Sequence, residues 1–434
     1  MDHFWPIIKA YYGMRGSELQ IGGLPVSKIT ELYGTPLFIY DSNVLAKKLT
    51  LLRGALPPGF KVFYSVKANP NPTILSFWLS KGCGLEVASG GEFHQAMAIG
   101  CPPSRVLFAG PGKTEMELEL VLEHGIGEIH VESSQEIDRI VQICRRRGLR
   151  GNIAIRVNPS SEAQGGAMRM GGKPTPFGVD EEMLDEVLDQ VLREQVLNFR
   201  GIHLFAGTQI LDHTILISQY RKALQIAYRA ASRAQVPAAV VDFGGGLGIP
   251  YHPNDRVLDI TRFGKELSPI IEEAMQQPEF AGTTFVVEPG RYLVGEGGIY
   301  VSRITAVKKS RGKKFLIVDG GMHHHLAASG NLGQVIKRNF PVAILNKLGE
   351  NPEEIVDVVG PLCTPLDVLA RDVHFPAGEV GDLVGVFQSG AYARTSSPLG
   401  FLSHPTPPEV WLDGGEASLI RPRGTYEDFT RDYL

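Results

Sequence analysis

Between residues 60 and 290, short apolar runs of β type alternate with longer segments whose apolar residues recur at helical spacing. This alternation constrains the fold more than any other feature of the chain. The β-type runs are Phe60–Val66, Gly84–Ser89, Val106–Gly110, Glu128–Ser133, Asn152–Asn158, Gly201–Gly207, Ala239–Gly245 and Thr284–Gly290. Helical spacing marks Pro72–Lys81, Glu92–Ile99, Glu115–His124, Gln135–Arg147, Glu181–Leu192, Ile215–Ala234 and Arg262–Gln276, and a further helix, Ser42–Leu56, precedes the first run. Ser134 and Asp180, each followed by acidic residues, read as helix-start signals. Strands separated by helices run parallel, because a parallel pair requires a long crossover. Eight such units predict an α/β chain closed into a (β/α)8 TIM barrel, with a doubly wound open sheet as the competing arrangement.

Beyond residue 290 the pattern becomes short β-branched runs (Gly298–Val307, Lys314–Val318, Glu354–Val359, Asp382–Phe387, Glu409–Leu412) separated by turns. The expected organisation is a barrel over 36–292 and a β-rich domain formed by 293–434 together with 1–35, where Glu18–Ile21 and Leu24–Val26 also read as β. Fifty glycines, about 12% of the chain against a usual value of about 7%, show no G-x-y period. They must serve turns and close backbone approaches. Forty-three basic against 47 acidic residues leave a net charge of -4, which carries no nucleic-acid footprint. Arg145-Arg146-Arg147 is expected to be the solvated end of a helix, where cations are favoured. No apolar run is long enough for a membrane span, and Cys83, Cys101, Cys144 and Cys363 form no CxxC pair. With no basic leader at Met1, a reduced cytoplasmic setting is expected.

Catalytic groups of such barrels project from strand C-termini. The first strand ends in Tyr64-Ser65-Val66-Lys67-Ala68-Asn69-Pro70. A lysine there is either a structural ion-pair partner or a desolvated Schiff-base amine. The seventh end carries Asp242-Phe243-Gly244-Gly245-Gly246-Leu247-Gly248 and the eighth Glu288-Pro289-Gly290-Arg291. Bare glycine backbone and an arginine fork at these two ends suit a phosphate. Lysine with phosphate suggests pyridoxal phosphate or a Schiff-base aldolase, and Glu288, suited to a pyridine nitrogen, favours the former.

These motifs, with Glu86–Glu92 (E-V-A-S-G-G-E), Arg156–Pro159 (R-V-N-P), Ala206–Gln209 (A-G-T-Q), Val318–Gly321 (V-D-G-G), Gly360–Cys363 (G-P-L-C) and Ser389–Tyr392 (S-G-A-Y), run through nearly the whole chain. They resemble the fold-type III pyridoxal-phosphate decarboxylases, the diaminopimelate, ornithine and arginine decarboxylase family with its alanine-racemase-like barrel. Met168–Gly172, His323–Asn331 and Gly360–Asp367 resemble the subgroup associated with bacterial exosortase-A and exopolysaccharide gene clusters, near acyl-ligase and carrier-protein genes. The resemblance implies Lys67, Glu288 and Cys363 as catalytic residues. Lys67 is the Schiff-base lysine, Glu288 the partner of the pyridine nitrogen, and Cys363 a proton donor supplied by the second subunit of a homodimer. It also implies a cofactor pocket of Glu86, Ser89, Glu92, Arg156, Thr208, Gly244, Gly245, Gly246, Gly290, Arg291 and Tyr392, with Asp319 and Thr364 toward the substrate.

The chain departs from that family at three places. His203-Leu204-Phe205-Ala206-Gly207-Thr208-Gln209 replaces the ring-stacking histidine by Phe205, whose face can still stack. His203 then falls to a structural or supporting role. Pro176-Phe177-Gly178 lacks the family's lysine. Thr364 and Pro365 follow Cys363 where diamine-type enzymes place an acidic residue for a distal ammonium. A buried ammonium without a carboxylate is costly, so a simple diamine-type amino acid is disfavoured. Arg169 could instead meet a distal carboxylate or a phosphopantetheine phosphate, if it is not a surface charge. His323-His324-His325 cannot all face one way in a strand, so they are read as structural or pocket-lining and no metal is expected. The expected activity is pyridoxal-phosphate-dependent decarboxylation of an L-α-amino acid or derivative, free or carrier-tethered. Diaminopimelate decarboxylation, a racemase on the same fold and a non-catalytic homologue are the alternatives; Glu288 disfavours the racemase.

Overall fold

The computed structural model describes residues 4–160, 174–205, 207–332 and 337–431, and the backbone of 168–169. The chain forms two compact units, one of residues 49–249 and 256–292, the other of 1–48, 250–255 and 293–434.

The first unit contains β1 (Phe60–Ser65), β2 (Gly84–Val87), β3 (Val106–Phe108), β4 (Glu128–Val131), β5 (Gly151–Asn158), β6 (Leu197–Leu204), β7 (Val240–Asp242) and β8 (Thr284–Val287). Each is parallel to its neighbours, and pairing of β8 with β1 and of β4 with β5 closes the ring. The expected barrel is therefore present, and the open sheet is excluded. Phe63, Leu107, Val240 and Val286, from β1, β3, β7 and β8, form a buried cluster. β1 and β3 are not adjacent, so their side chains meet only inside the ring.

Between the strands lie α1 (Pro72–Ser80), α2 (Gly90–Ala98), α3 (Glu115–Glu123), α4 (Ser134–Arg147), α5 (Leu184–Arg193), α6 (His213–Ala234) and α7 (Ile260–Met275). Their starts follow capping chemistry. Thr114 and Glu117 form a reciprocal capping box on α3, and the Ser133 hydroxyl accepts from the Glu136 amide at the start of α4. α4 ends at Gly148, whose φ of 67° is the left-handed conformation that glycine adopts without strain. As expected, Arg145, Arg146 and Arg147 lie exposed in its last turn, paired with Glu194, Glu115 and Glu119. Six of the eight sequence runs overshoot their strands by two or three residues at the C-terminus. The small residues there belong to the loops that build the site.

In the second unit a sheet runs through 368–375, 354–359, 313–318, 298–310, 37–41, 409–413 and 416–421, with 342–344 and 383–386 paired beside it. Leu37–Asp41 lies antiparallel to Gly298–Val301 and parallel to Glu409–Leu412. This corrects the expected boundary at residue 36: the run Leu37–Tyr40 is buried in the β-rich unit, which extends to Lys48. Its core joins Leu37 and Ile39 to Leu19, Ile21, Ile299, Val301, Val410 and Leu412. The N-terminal segment contributes helices Trp5–Tyr11 and Val26–Tyr33 besides the expected β pairing of Glu18–Ile21 with Leu24–Pro25.

Candidate active site at the barrel strand ends

Lys67 sits in a single 3-10 turn, Val66–Ala68, directly after β1. Its ammonium lies 2.9 and 2.8 Å from the two oxygens of Glu86, which projects from β2 in register with Ser65. Glu86 is buried and also accepts from the Ser65 hydroxyl, whereas the Lys67 side chain is 44% exposed. A buried carboxylate thus holds a lysine amine that still opens to incoming molecules. At the start of α2, Glu92 accepts from the Ala88 amide (2.7 Å), and its own amide donates to the Ser89 hydroxyl (3.1 Å). Burial pushes the Glu92 carboxyl up to about 7, against the lowering effect of the Ala88 hydrogen bond and with a raising contribution from Glu86.

Arg156, on β5, donates to Glu132 at 2.7 Å, and its guanidinium lies 5.1 Å from the Phe177 ring centre and 6.0 Å from that of Phe205. The Glu132 carboxylate accepts two backbone amides as well, from Gly110 and Gly178. Phe205 follows β6 and is half-buried.

The glycines after β7 and β8 are dictated by space. A Cβ on Gly245 would sit 2.6 Å from the Glu288 carbonyl oxygen, and one on Gly246 (φ +93°) 2.9 Å from the Gly207 carbonyl oxygen. A Cβ on Gly290 would sit 2.8 Å from Ala68, beside Lys67. Gly244 has φ +66° and donates its amide to Asp242 at 2.8 Å. Thr208 lies in a two-residue strand, Gly207–Thr208, paired with Met168–Arg169. The Arg169 side chain is outside the described residues.

Two site residues escaped the sequence reading. His203, Arg156 and Asp242 occupy one register level across β5, β6 and β7. Glu288 Oε2 lies 3.2 Å from His203 Nε2, and His130 on β4 stacks on His203 with ring centres 4.4 Å apart. His130, His203, Asp242 and Glu288 offer polar atoms within 4.8 Å of one another, all buried. Burial, then the charge of Glu288, drives the Asp242 carboxyl up, while burial, then His130 and Arg156, drives the His203 ring down. Asp242 had a signal in its place before the glycine triplet. His130 had none, since one polar residue within the run Glu128–Val131 looks like ordinary strand alternation.

The remaining candidates lie in the β-rich unit. Cys363 is exposed in the loop between 354–359 and 368–375, whereas Cys83, Cys101 and Cys144 are buried. Burial pushes the Cys83 and Cys144 thiols up to about 11. Asp367 organises the Cys363 loop by accepting from the Met322 amide (2.6 Å) and the Leu362 amide (2.9 Å). Cβ atoms at Gly321 or Gly360 would each fall 2.2 Å from its carboxylate. The Thr364 hydroxyl accepts from the Leu366 amide. Asp319 accepts from the Thr35 hydroxyl and the Arg303 amide, so both of its oxygens are engaged within the unit. Tyr392 has φ 51°. His323, His324 and His325 lie in a turn rather than the strand assumed from sequence, and all three rings are buried. His324 meets the Tyr300 hydroxyl and His325 the Ser389 hydroxyl, in keeping with a structural role.

The pyridoxal binding domain of pyridoxal-dependent decarboxylases matches residues 43–295. The chain belongs to this decarboxylase family. It is 37% identical to the L-glutamyl-[BtrI acyl-carrier protein] decarboxylase of Niallia circulans, over 94% of this chain and 96% of that protein. It is 31% identical to the diaminopimelate decarboxylase of Aquifex aeolicus, over 96% of each. The structure of Helicobacter pylori diaminopimelate decarboxylase complexed with L-lysine superposes with a TM-score of 0.84 at 28% identity, covering 93% of this chain and 98% of that one.

The decarboxylase fits its pyridoxal phosphate on its own geometry. Glu288 carries a buried oxygen, Oε1, with no hydrogen-bond partner, ready for a ring nitrogen. The glycine cradle at Gly244–Gly246 leaves backbone bare where a Cβ would collide. The protein is a pyridoxal-phosphate-dependent carboxy-lyase acting on an amino acid or amino-acid derivative. Among the described residues, no helix is long and apolar enough to cross a membrane.

Proposed function

We propose that this decarboxylase acts on an α-aminoacyl group, with glutamyl the leading candidate, carried as a thioester on an acyl carrier protein. The observation that carries the reading is the loop after Cys363, where Thr364 and Pro365 provide no carboxylate. The nearby Asp367 is committed to the backbone amides of Met322 and Leu362. A free diamine-type substrate would bring a distal ammonium to a loop with no carboxylate to spare, at a cost of a few kcal/mol. The likeness to a carrier-protein glutamyl decarboxylase supports the same reading. Arg169 is proposed to meet an acidic group of such a substrate or its phosphopantetheine arm.

Bound pyridoxal phosphate supplies an electron sink for the electron pair left when CO2 departs. Lys67 supplies the amine that anchors the cofactor, and Glu86 keeps that amine positioned. Glu288 would hold the ring nitrogen, with Phe205 as the aromatic face for the ring. Gly244, Gly245, Gly246, Gly290, Thr208, Arg291 and Tyr392 would receive the phosphate, while Ser89, Glu92 and Arg156 would support the pocket. Cys363 delivers a proton to the carbon that lost CO2.

The test is CO2 release by the holoenzyme from glutamyl-carrier thioester, free glutamate, lysine, ornithine and meso-diaminopimelate. Turnover of the thioester at least about 100-fold above every free amino acid is expected, a gap of roughly 2.7 kcal/mol in transition-state binding. Efficient turnover of free meso-diaminopimelate would instead make the chain a diaminopimelate decarboxylase.

A further inference from the structure

We propose that His130 is a positioning residue for the cofactor's ring nitrogen, bridging Glu128 to the Asp242 and Glu288 carboxyls and so fixing the Glu288 carboxylate that would face that nitrogen. The inference rests on the assignment of Glu288 to that nitrogen. His130 is fully buried on β4, and its Nε2 lies 3.1 Å from Glu128 Oε1 and 3.9 Å from Asp242 Oδ2. On the opposite edge of the ring, Nδ1 lies 3.9 Å from Glu288 Oε1. Nδ1 of His130, Nδ1 of His203, Oδ2 of Asp242 and Oε1 of Glu288 are buried without a hydrogen-bond partner, and His203 Nε2, although 3.2 Å from Glu288 Oε2, is not aligned for a hydrogen bond. Buried polar atoms in such a concentration imply shared protons or a bound group.

A metal ion suits the geometry less well. The His130 and His203 rings are stacked at an interplanar angle of 22°. Their lone pairs therefore run in nearly parallel planes instead of converging on one point, as a tetrahedral ion requires. Three carboxylates share the pocket, and buried carboxylates cannot all ionise without a counter-charge. Among the described residues, Arg200 approaches Glu128, at 3.9 Å. Glu86, Glu132 and Arg156 act on His203, and the Tyr220 hydroxyl lies on the Asp242 side. Two stacked imidazoles cannot both be cations. His203 is disfavoured by its burial and by Arg156. His130 is the ring with carboxylate oxygens near both nitrogens, Glu128 and Asp242 at Nε2 and Glu288 at Nδ1. An imidazole N–H beside Glu288 would make that carboxylate a weaker base, so a ring nitrogen held by Glu288 would keep its proton more readily. Without His130 the nitrogen would be less positive and the cofactor would be a poorer electron sink.

The test is a pH titration of the visible absorbance of the bound cofactor, together with cofactor affinity measured by reconstitution. In His130→Asn the midpoint should rise by about one pH unit, because a less positive ring lets the lysine linkage hold its proton more tightly. Cofactor affinity should fall about tenfold. Glu128→Gln should shift the midpoint the same way by less, and the double variant no further than His130→Asn alone. A folded His130→Asn with an unchanged midpoint, or strictly additive shifts, would overturn the proposal. Stoichiometric Zn2+ binding that competes with pyridoxal phosphate and disappears in His130→Asn would also overturn it, in favour of a metal site. Glu288→Gln separates the two readings. A moved midpoint there with none in His130→Asn removes only the role of His130, while an unmoved one removes both.

Discussion

Glu92 shows how a single residue at the mouth of the barrel couples stability to pH. Its half-buried carboxyl at the start of α2 accepts from the Ala88 amide near Glu86, and partial burial pushes it up to about 7. The folded chain therefore binds the Glu92 proton more tightly than the unfolded chain, whose glutamates titrate near about 4.3. With more protons bound in the native state, stability falls as pH rises between those values. The contribution of Glu92 is fully present below about pH 4 and is lost by about pH 7 to 8, with a total of the order of 2 kcal/mol. Urea denaturation of the cofactor-free protein at pH 5 and pH 7.5 measures it, and Glu92→Gln should flatten the difference. An unchanged pH slope in Glu92→Gln would place the titration elsewhere. At this scale the places of Lys67 and Glu288 just beyond strand ends were legible in the sequence. The Lys67–Glu86 contact followed only from the register of β1 against β2.

At the scale of elements, glycine marks where backbones touch. Gly264, within α7, lies against the end of the helix Ser42–Ala55: a Cβ there would fall 2.0 Å from the Ala55 carbonyl oxygen. Rigid backbone on both sides cannot yield as a flexible side chain does. Gly264→Ala should therefore cost about 3 kcal/mol or more in chemical denaturation. Gly112→Ala, with open space around it and an ordinary backbone conformation, should change stability by about 1 kcal/mol at most. Equal effects would mean that the helices separate without cost. The same physics explains what was legible at this scale. Periodicity located all eight barrel strands, because burial on both faces makes a parallel strand a continuous apolar run. It gave no separate signal for Leu37–Asp41, so the boundary at residue 36 left this buried strand of the β-rich sheet with the barrel. It could not find the His130, His203, Asp242 and Glu288 cluster, whose members come from three strands and the residue just after β8 and meet only when the barrel closes.

For the whole molecule, the proposed chemistry is divided between the two units. Lys67 and Glu288 belong to the barrel, and Cys363 to the β-rich unit. The proposed role of Cys363 as proton donor in the site of a second subunit predicts a homodimer with two shared sites. A symmetric dimer allows this because its two-fold axis repeats every contribution in both sites. Lys67→Ala removes the anchoring amine and Cys363→Ala the proton donor, so either homodimer alone should lose about 10²-fold or more in kcat. If sites are shared, random exchange of equal amounts makes about half the dimers mixed. Each mixed dimer has one site with both lesions and one site with none, so activity should recover to about a quarter of wild type. Sites confined to one protomer predict no recovery at any mixing ratio. The experiment requires protomers exchanged through mild dissociation and activity read on the substrate that the wild-type holoenzyme turns over. A subunit-exchange control by native mass spectrometry shows that mixed dimers formed, so a flat activity then means that Cys363 acts within its own chain.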